Sequence, residues 1–289
     1  MKVTVFTPTY NRAYVLPNLF ASLCQQTCKD FEWLIIDDGS SDNTEEIVQG
    51  WLHETSFSIR YFKQKNGGKH RAINRGAQEA HGEFFFIVDS DDTLSNVAIE
   101  RVVYHCESIK NQKSFAGVCG LRAYKDGTRI GGECDFDILD CSPLEFRVKY
   151  GISGDMAEVV NTDILKEYPF PDIPGEMFCT EALLWDRLSA KYKFRYFYEK
   201  IYICEYLNDG LTASMTRIRK NSPQYAKLYY SERYFTQLPF KEKAKAAINY
   251  WRFAFCDKNH NHLHLFALNQ GLVFLPIGFL FYLIDKRLH

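Results

Sequence analysis

An α/β fold with an open, doubly wound parallel sheet is predicted by three features of this sequence. Apolar runs and amphipathic helical spacing alternate four times within about 90 residues, the order that builds strand–helix–strand units. Two of the four apolar runs stop abruptly at aspartates, Asp37-Asp38 and Asp89-Ser90-Asp91-Asp92. The composition, 46% hydrophobic and 16% aromatic over 289 residues, supplies a packed core and excludes a disordered chain.

Residues 3–6 are a β-branched and aromatic run, a first core strand broken by Thr7-Pro8-Thr9. Apolar residues at 15, 16, 19, 20 and 23 then have the spacing of an amphipathic helix. Residues 33–36 form a second buried strand, which ends in Asp37-Asp38-Gly39-Ser40-Ser41-Asp42. A helix over 45–52, a strand over 59–62 and a helix over 71–80 follow. Between these last two lies Asn66-Gly67-Gly68-Lys69-His70-Arg71. Paired glycines let a backbone approach a ligand closely, and cations at a helix N-terminus suit phosphate, although flexible basic turns share this composition. The spacing is not that of a Walker loop.

The stretch 82–92, GEFFFIVDSDD, organises the rest. Its five apolar residues do not alternate, so the strand is buried on both faces and Asp89, Asp91 and Asp92 must emerge at its C-terminal end. Open α/β sheets bind ligands at that edge, and hard carboxylate oxygens suit Mg²⁺ or Mn²⁺ beside a phosphate. The plainer reading is an acidic turn that caps the next helix.

Further on, residues 116–124 and 129–132 flank Lys125-Asp126-Gly127, a hairpin signal that opens a second half of the domain. Residues 142–180, with prolines at 143, 169, 171 and 174, read as a long irregular loop of a functional kind. Helical periodicity returns over 181–190 with Thr180 as its cap, and 194–206 alternates as a strand. Trp185 and the aromatic stripe of that strand read as core. Residues 225–235 and 240–255 carry Lys and Arg among aromatics at helical spacing, and 265–284 run 20 residues without charge, interrupted by Gly271, Pro276 and Gly278. His260, His262 and His264 read as interfacial polar residues beside that apolar run rather than as metal ligands.

The net charge of −1 argues against non-specific nucleic-acid binding, so no nucleic-acid partner is expected. The charge is uneven. Residues 215–258 hold ten Lys and Arg against three acids, a net of +7, which leaves −8 on the remainder. Nine cysteines without a C-x-x-C pair point to free thiols in a reducing compartment. Met1-Lys2 leads directly into a strand pattern with no signal peptide before it, so a cytoplasmic location is expected.

Four motifs stand in register: Thr7-Pro8-Thr9-Tyr10-Asn11-Arg12, Asp37-Asp38-Gly39-Ser40-Ser41-Asp42, Asn74-Arg75-Gly76 and Asp89-Ser90-Asp91-Asp92. In this order and spacing they resemble family 2 glycosyltransferases of the GT-A fold. The resemblance runs over roughly residues 1–215, and its weaker part, through Gly175-Glu176-Met177-Phe178-Cys179-Thr180-Glu181 and 206–212, is similar to bacterial enzymes making surface polysaccharide. It implies a Rossmann-like central mixed sheet flanked by helices over residues 1–214, with a nucleotide-sugar-binding half (1–115) and an acceptor half (116–214). A basic, aromatic, membrane-associating helical extension would occupy 215–289.

The resemblance also implies an inverting transfer from a nucleotide sugar, a UDP-sugar, to a glycan or lipid-linked acceptor. Pro8, Tyr10 and Arg12 would shape the base pocket, with Asp38 accepting from the uracil imide. Asp89 would contact ribose or metal, Asp91 would hold Mn²⁺ or Mg²⁺, and Asp92 would share that duty. Where many members carry an Arg before the Asn of Asn-x-Gly, this chain has Ile73, so Lys69 or Arg71 would substitute. Glu181 would be the general base, with Glu176 and Asp186 as nearby competitors and a first-turn acid favoured by the helix dipole as the plainer reading. The chemistry fits these residue types: a departing nucleoside diphosphate builds charge that a divalent cation stabilises, and the acceptor hydroxyl needs a carboxylate base.

Two rivals are weaker. A sugar nucleotidyltransferase needs a Gly-rich loop with a basic residue after the first strand, and residues 7–12 lack it. A catalytically inactive scaffold of a membrane complex would have lost a carboxylate, and all are present. For residues 265–284 a shallow monotopic anchor on the inner face of the cell membrane is expected, drawn by the basic segment before it. Twenty residues rise about 30 Å, just enough to span, but Pro276 breaks a straight helix and spanning would place Lys286 and Arg287 outside. The alternatives are a buried helix within an oligomer and a true span.

Overall fold

The computed structural model describes residues 1–205, 215–258 and 271–287. The chain divides into two compact units, Met1–Phe170 with Arg187–Leu207, and Pro171–Asp186 with Asn208–His289.

Among the described residues, the first unit is built on a nine-stranded mixed sheet. Strands β1 (Val3–Thr9), β2 (Phe31–Asp37), β3 (Ser58–Lys63) and β4 (Phe84–Ile87) are parallel, in the order β3-β2-β1-β4. Helices α1 (Leu16–Cys24), α2 (Thr44–Trp51) and α3 (Lys69–Glu79) connect them in turn. Every residue of β1, β2 and β4 is buried, as strands covered on both faces require. One face packs Val3, Val5, Trp33, Phe84 and Phe86, and on the other Phe6 stacks on Phe85 at 4.7 Å. All four strands end at the same edge, so the aspartates after β2 and β4 share it.

Beyond β4 the sheet turns antiparallel. β8 (Met156–Asn161) pairs antiparallel with β4 and with β6 (Phe115–Tyr124), and β9 (Lys193–Cys204) runs parallel to β6. β5 (Thr93–Leu94) and β7 (Ile138–Cys141) lie antiparallel on β9. The helices of this half are α4 (Ala98–Ile109), α5 (Pro143–Val148) and α6 (Thr162–Glu167). A Cβ on Gly117 would lie 1.9 Å from the Val159 carbonyl oxygen, so glycine is what lets β6 approach β8.

One sequence expectation fails here and another holds only in part. Residues 142–180 are not one irregular loop: Pro143 opens α5 behind a Ser142–Glu145 capping box, and the six residues of β8 enter the middle of the sheet. A strand that short, holding Glu158 among apolar residues, gives little periodicity to detect. The hairpin after β6 forms only as a short stub. Gly127 N–H donates to the Tyr124 carbonyl (2.9 Å), Tyr124 N–H to the Thr128 carbonyl (2.9 Å) and Ile130 N–H to the Arg122 carbonyl (3.0 Å), around an antiparallel bridge between Ala123 and Arg129. The return arm pairs with β6 beyond Leu121, where the pairing with β8 ends.

In the second unit, residues 171–181 fold onto the start of a helical region. After α7 (Ala182–Leu188), shorter than the predicted 181–190, come α8 (Met215–Asn221), α9 (Pro223–Phe235), α10 (Phe240–Ala254) and α11 (Leu275–Arg287). Buried Glu176 accepts the backbone N–H groups of Gln224 (2.7 Å) and Tyr225 (2.8 Å), placing a carboxylate on the positive end of α9. Asp186 pairs with Arg233 at 2.7 Å, and Lys227 pairs with Asp257 in the interior.

Pro276 does not break α11 in its middle. It lies in the first turn, where its missing N–H costs nothing, after a 3₁₀ turn over Gly271–Phe274. Gly278 brings α11 against Trp251 of α10, since a Cβ there would stand 2.4 Å from the Trp251 Cβ, and Asp285 makes a two-pronged pair with Arg252 at 2.7 and 2.6 Å. These two are the buried residues of α11. Its outer face leaves Leu280 56% and Ile284 42% exposed, with Ile277, Phe281 and Leu283 beside them. Thirteen residues rise about 20 Å, and no helix among the described residues is long and apolar enough to cross a membrane. The rest of the predicted apolar segment (265–270), the His260/His262/His264 group and the 206–212 stretch lie outside the described residues.

Candidate active site

The site is assembled at the C-terminal edge of β1, β2 and β4, within the first unit. Three loops meet there. The first leaves β1 through Tyr10, 50% exposed, and Asn11, whose φ of 53° turns the chain. Asn11 donates its N–H to Ser40 Oγ (2.8 Å) and accepts the Ser41 N–H (2.8 Å), while Ala13 N–H donates to Asp42 (3.1 Å). The first two motifs are thereby tied into one structure. Pro8 is buried within β1, opposite Ile36 of β2, and Arg12 donates to the Tyr14 hydroxyl at 2.6 Å.

The second loop holds the glycines. Asp38, buried after β2, accepts three hydrogen bonds: from the Gln64 side chain (2.8 Å), Gly67 N–H (2.9 Å) and Gly68 N–H (2.7 Å). Gly68, at φ 94°, adopts a backbone that other residues avoid and opens α3 at Lys69. The carboxylate assigned to the base by resemblance thus also clamps the loop that presents the cations. Arg71 folds back to the Gly67 carbonyl. The Asn-x-Gly motif on α3 is tied to the fold: Asn74 exchanges two hydrogen bonds with the Phe170 backbone (2.8 and 2.9 Å). A Cβ on Gly76 would lie 2.2 Å from the Phe6 ring. Ile73, in the place of the expected Arg, is buried.

The third loop is the aspartate turn after β4. Lys69 forms an ion pair with Asp89 at 2.5 Å, so the glycine loop and the aspartate turn meet directly. Burial pushes the Asp89 carboxyl up, but Lys69 and Arg122 beside it more than offset this and hold it below its usual range. Asp91 moves the other way, raised first by burial and then by the charge of Asp89. Asp92 is pushed up to about 7, again by burial and then by Asp89. Its Oδ1 accepts the Glu205 N–H at 3.0 Å, and the residue is buried.

Sequence reasoning missed Arg122 and Tyr202. Arg122, on β6, places Nη1 3.8 Å from Asp89 and 3.9 Å from Asp92, and Tyr202, on β9, accepts the Asp89 N–H at 2.9 Å. A signal for Arg122 existed: it is the one charge in the otherwise apolar FAGVCGLRAY.

Among the described residues no group of three or more His, Cys, Asp or Glu is arranged to enclose a metal unaided. Magnesium-type ions beside phosphates take one or two protein carboxylates, with the remaining oxygens from substrate and water. Asp91 with Asp89 fits that requirement, because like charges crowd there and raise the proton affinity of Asp91.

Glu181 stands at the start of α7, in the second unit, and its carbonyl accepts the Leu184 N–H at 2.9 Å. The two competing acids are committed, Glu176 to the α9 N-terminus and Asp186 to Arg233.

Residues 4–129, which carry these three loops, match the family described as "Glycosyl transferase family 2". Residues 4–129 are a glycosyltransferase family 2 domain. A β-1,3-glucosyltransferase of Campylobacter jejuni, named for GalNAc(5)-diNAcBac-PP-undecaprenol, is 31% identical over 206 residues, 68% of this chain and 62% of that protein. Two further curated relatives are spanned to only 33% and 16% of their length. In fold, this chain resembles residues 1–349 of S. aureus TarS solved with UDP-GlcNAc. The TM-score is 0.65 at 20% identity, over 96% of this chain and 78% of that one. It also resembles the Pyrobaculum calidifontis mannosyltransferase PcManGT solved with GDP-Man and Mn²⁺, with a TM-score of 0.57 at 16% identity over 99% and 86% of the two chains. Both likenesses place the chain in the GT-A fold.

Proposed function

We propose that this chain transfers a sugar from a nucleotide-sugar donor, a UDP-sugar, to a glycan or lipid-linked acceptor with inversion at the anomeric carbon. The observation that carries the reading is the meeting of Lys69 and Asp89 at 2.5 Å, which joins a glycine loop of phosphate-binding character to a carboxylate turn in a family 2 domain. Relatives and neighbours named for a PP-undecaprenol acceptor, UDP-GlcNAc and GDP-Man with Mn²⁺ support the substrate class and the cation.

In this reading Asp91, with Asp89, would hold Mn²⁺ or Mg²⁺, which when bound would supply positive charge against the departing diphosphate. Lys69 and Arg71 face the diphosphate. Pro8, Tyr10, Arg12 and Asp38 form the nucleoside side, with the Asp38 carboxylate positioning the glycine loop as well. The acceptor hydroxyl oxygen bonds to the anomeric carbon from the side opposite the diphosphate, its proton passes to Glu181, and the C–O bond breaks with its electron pair on the leaving nucleoside diphosphate. Release of UDP and GDP from a panel of nucleotide sugars, with and without Mn²⁺, tests this. UDP release that requires both cation and acceptor is expected. No release from any donor, or release unaffected by EDTA, overturns the reading.

The exposed apolar face of α11, with ten Lys and Arg against three acids in residues 215–258 of the same unit, supports attachment to an anionic membrane surface. A helix rising about 20 Å lies in the interface, where each nearby basic residue adds up to about 1 kcal/mol. Sedimentation with vesicles containing anionic lipid is expected to pellet the full chain. Leu280→Glu with Ile284→Glu, on the outer face, should weaken that binding at least roughly 10-fold with an unchanged melting curve. A full chain that stays in the supernatant at low salt rules the attachment out and leaves oligomer packing as the role of this face.

A further inference from the structure

We infer that Arg122 is a fixed internal counter-ion of the aspartate turn, a positioning residue that sets where the side chains of Asp89 and Asp92 stand. This role belongs to the same site as the proposed transfer, but its test does not depend on activity.

The geometry separates what anchors Arg122 from what it acts on. Its Nε donates to the Met156 carbonyl of β8 at 2.6 Å, and its guanidinium lies over the Tyr202 ring of β9 at 4.0 Å from the centroid. Those two contacts come from both strands flanking β6, so the side chain is held by the sheet itself. Its charge then reaches two carboxylates, at 3.8 Å to Asp89 and 3.9 Å to Asp92, beyond direct hydrogen-bond distance of either. The second ends of those residues are held independently, Asp89 N–H by the Tyr202 hydroxyl and Asp92 Oδ1 by the Glu205 N–H. Glu158 and the Cys204 thiol also neighbour the guanidinium. Asp89 has a second cation in Lys69, at 2.5 Å. For Asp92, Arg122 is the only ion-pair partner among the described residues.

A buried carboxylate that loses its sole cation is destabilising, whereas removing both partners together is far less so. A thermal double-mutant cycle on the full chain therefore tests the assignment. Arg122→Met should lower the apparent Tm by roughly 5 °C or more, and adding Asp92→Asn to it should recover a large part of that loss. Mn²⁺ without nucleotide should raise the Tm of Arg122→Met more than that of the wild type, because the cation replaces the missing charge. If Arg122→Met does not fold, recovery of soluble, folded protein in the Arg122→Met/Asp92→Asn pair supports the assignment equally. Additive losses in the cycle, an equal Mn²⁺ shift in both proteins, or a double variant that also fails to fold would each overturn it, leaving Arg122 as a packing residue.

Discussion

Asp91→Asn is expected to lower cation-dependent sugar transfer by on the order of 10²-fold or more while the melting temperature stays near that of the wild type. The size of the effect follows from position. Asp91 lies in the turn beyond β4, and its carboxyl is raised by burial and by Asp89, which outweigh the opposing charges of Arg12 and Lys69. An amide keeps the shape of the side chain and removes the anion, so little of the folded structure depends on the change. Loss of one charge–metal contact removes several kcal/mol of stabilisation from a transition state in which the diphosphate gains charge. Steady-state transfer with and without EDTA, beside a melting curve, checks it. Full activity of Asp91→Asn, or full activity of the wild type in EDTA, refutes the metal role.

Glu181→Gln is expected to lower kcat by roughly 10²- to 10⁴-fold with little change in the affinity for UDP and Mn²⁺ measured by calorimetry. A general base acts on the acceptor proton only as the bond forms, so ground-state donor binding is indifferent to it. The neighbouring acids sharpen this test. Glu176→Gln removes the charge that two N–H groups of α9 point at, which should cost about 1 kcal/mol of stability. Asp186→Asn leaves half-buried Arg233 without its 2.7 Å partner, again a loss in stability. A Glu181→Gln enzyme with near-normal turnover would reassign the base to another acid.

The parallel half of the sheet was legible because its signals are local. Five consecutive apolar residues before Asp89 require a strand covered on both faces, and the same logic placed the ends of β1, β2 and β4 at one edge. The Asn66–Arg71 loop was legible for a similar reason, since paired glycines before cations announce a close backbone approach. Its actual ligand within the fold was not. The carboxylate of Asp38 reaches Gly68 across 30 positions, and no spacing rule in the sequence selects it.

The sequence by itself determined the alternation that builds β1 to β4, the carboxylates that close β2 and β4, and the apolar, basic character of the C-terminal helices. Each of these is carried by residues within a few positions of one another, where periodicity and backbone preference act. Tertiary structure alone decided that β8 enters between β4 and β6, that the arm after β6 pairs only where β8 ends, and that Pro276 starts α11 rather than breaking it. It also decided the supports of the aspartate turn. Asp89 meets the Tyr202 hydroxyl and Asp92 meets the Glu205 N–H, each across 113 positions, and Arg122 meets the Met156 carbonyl across 34. Such contacts depend on which strands become neighbours in the sheet, and that order is set by the packing of the whole core rather than by any one segment.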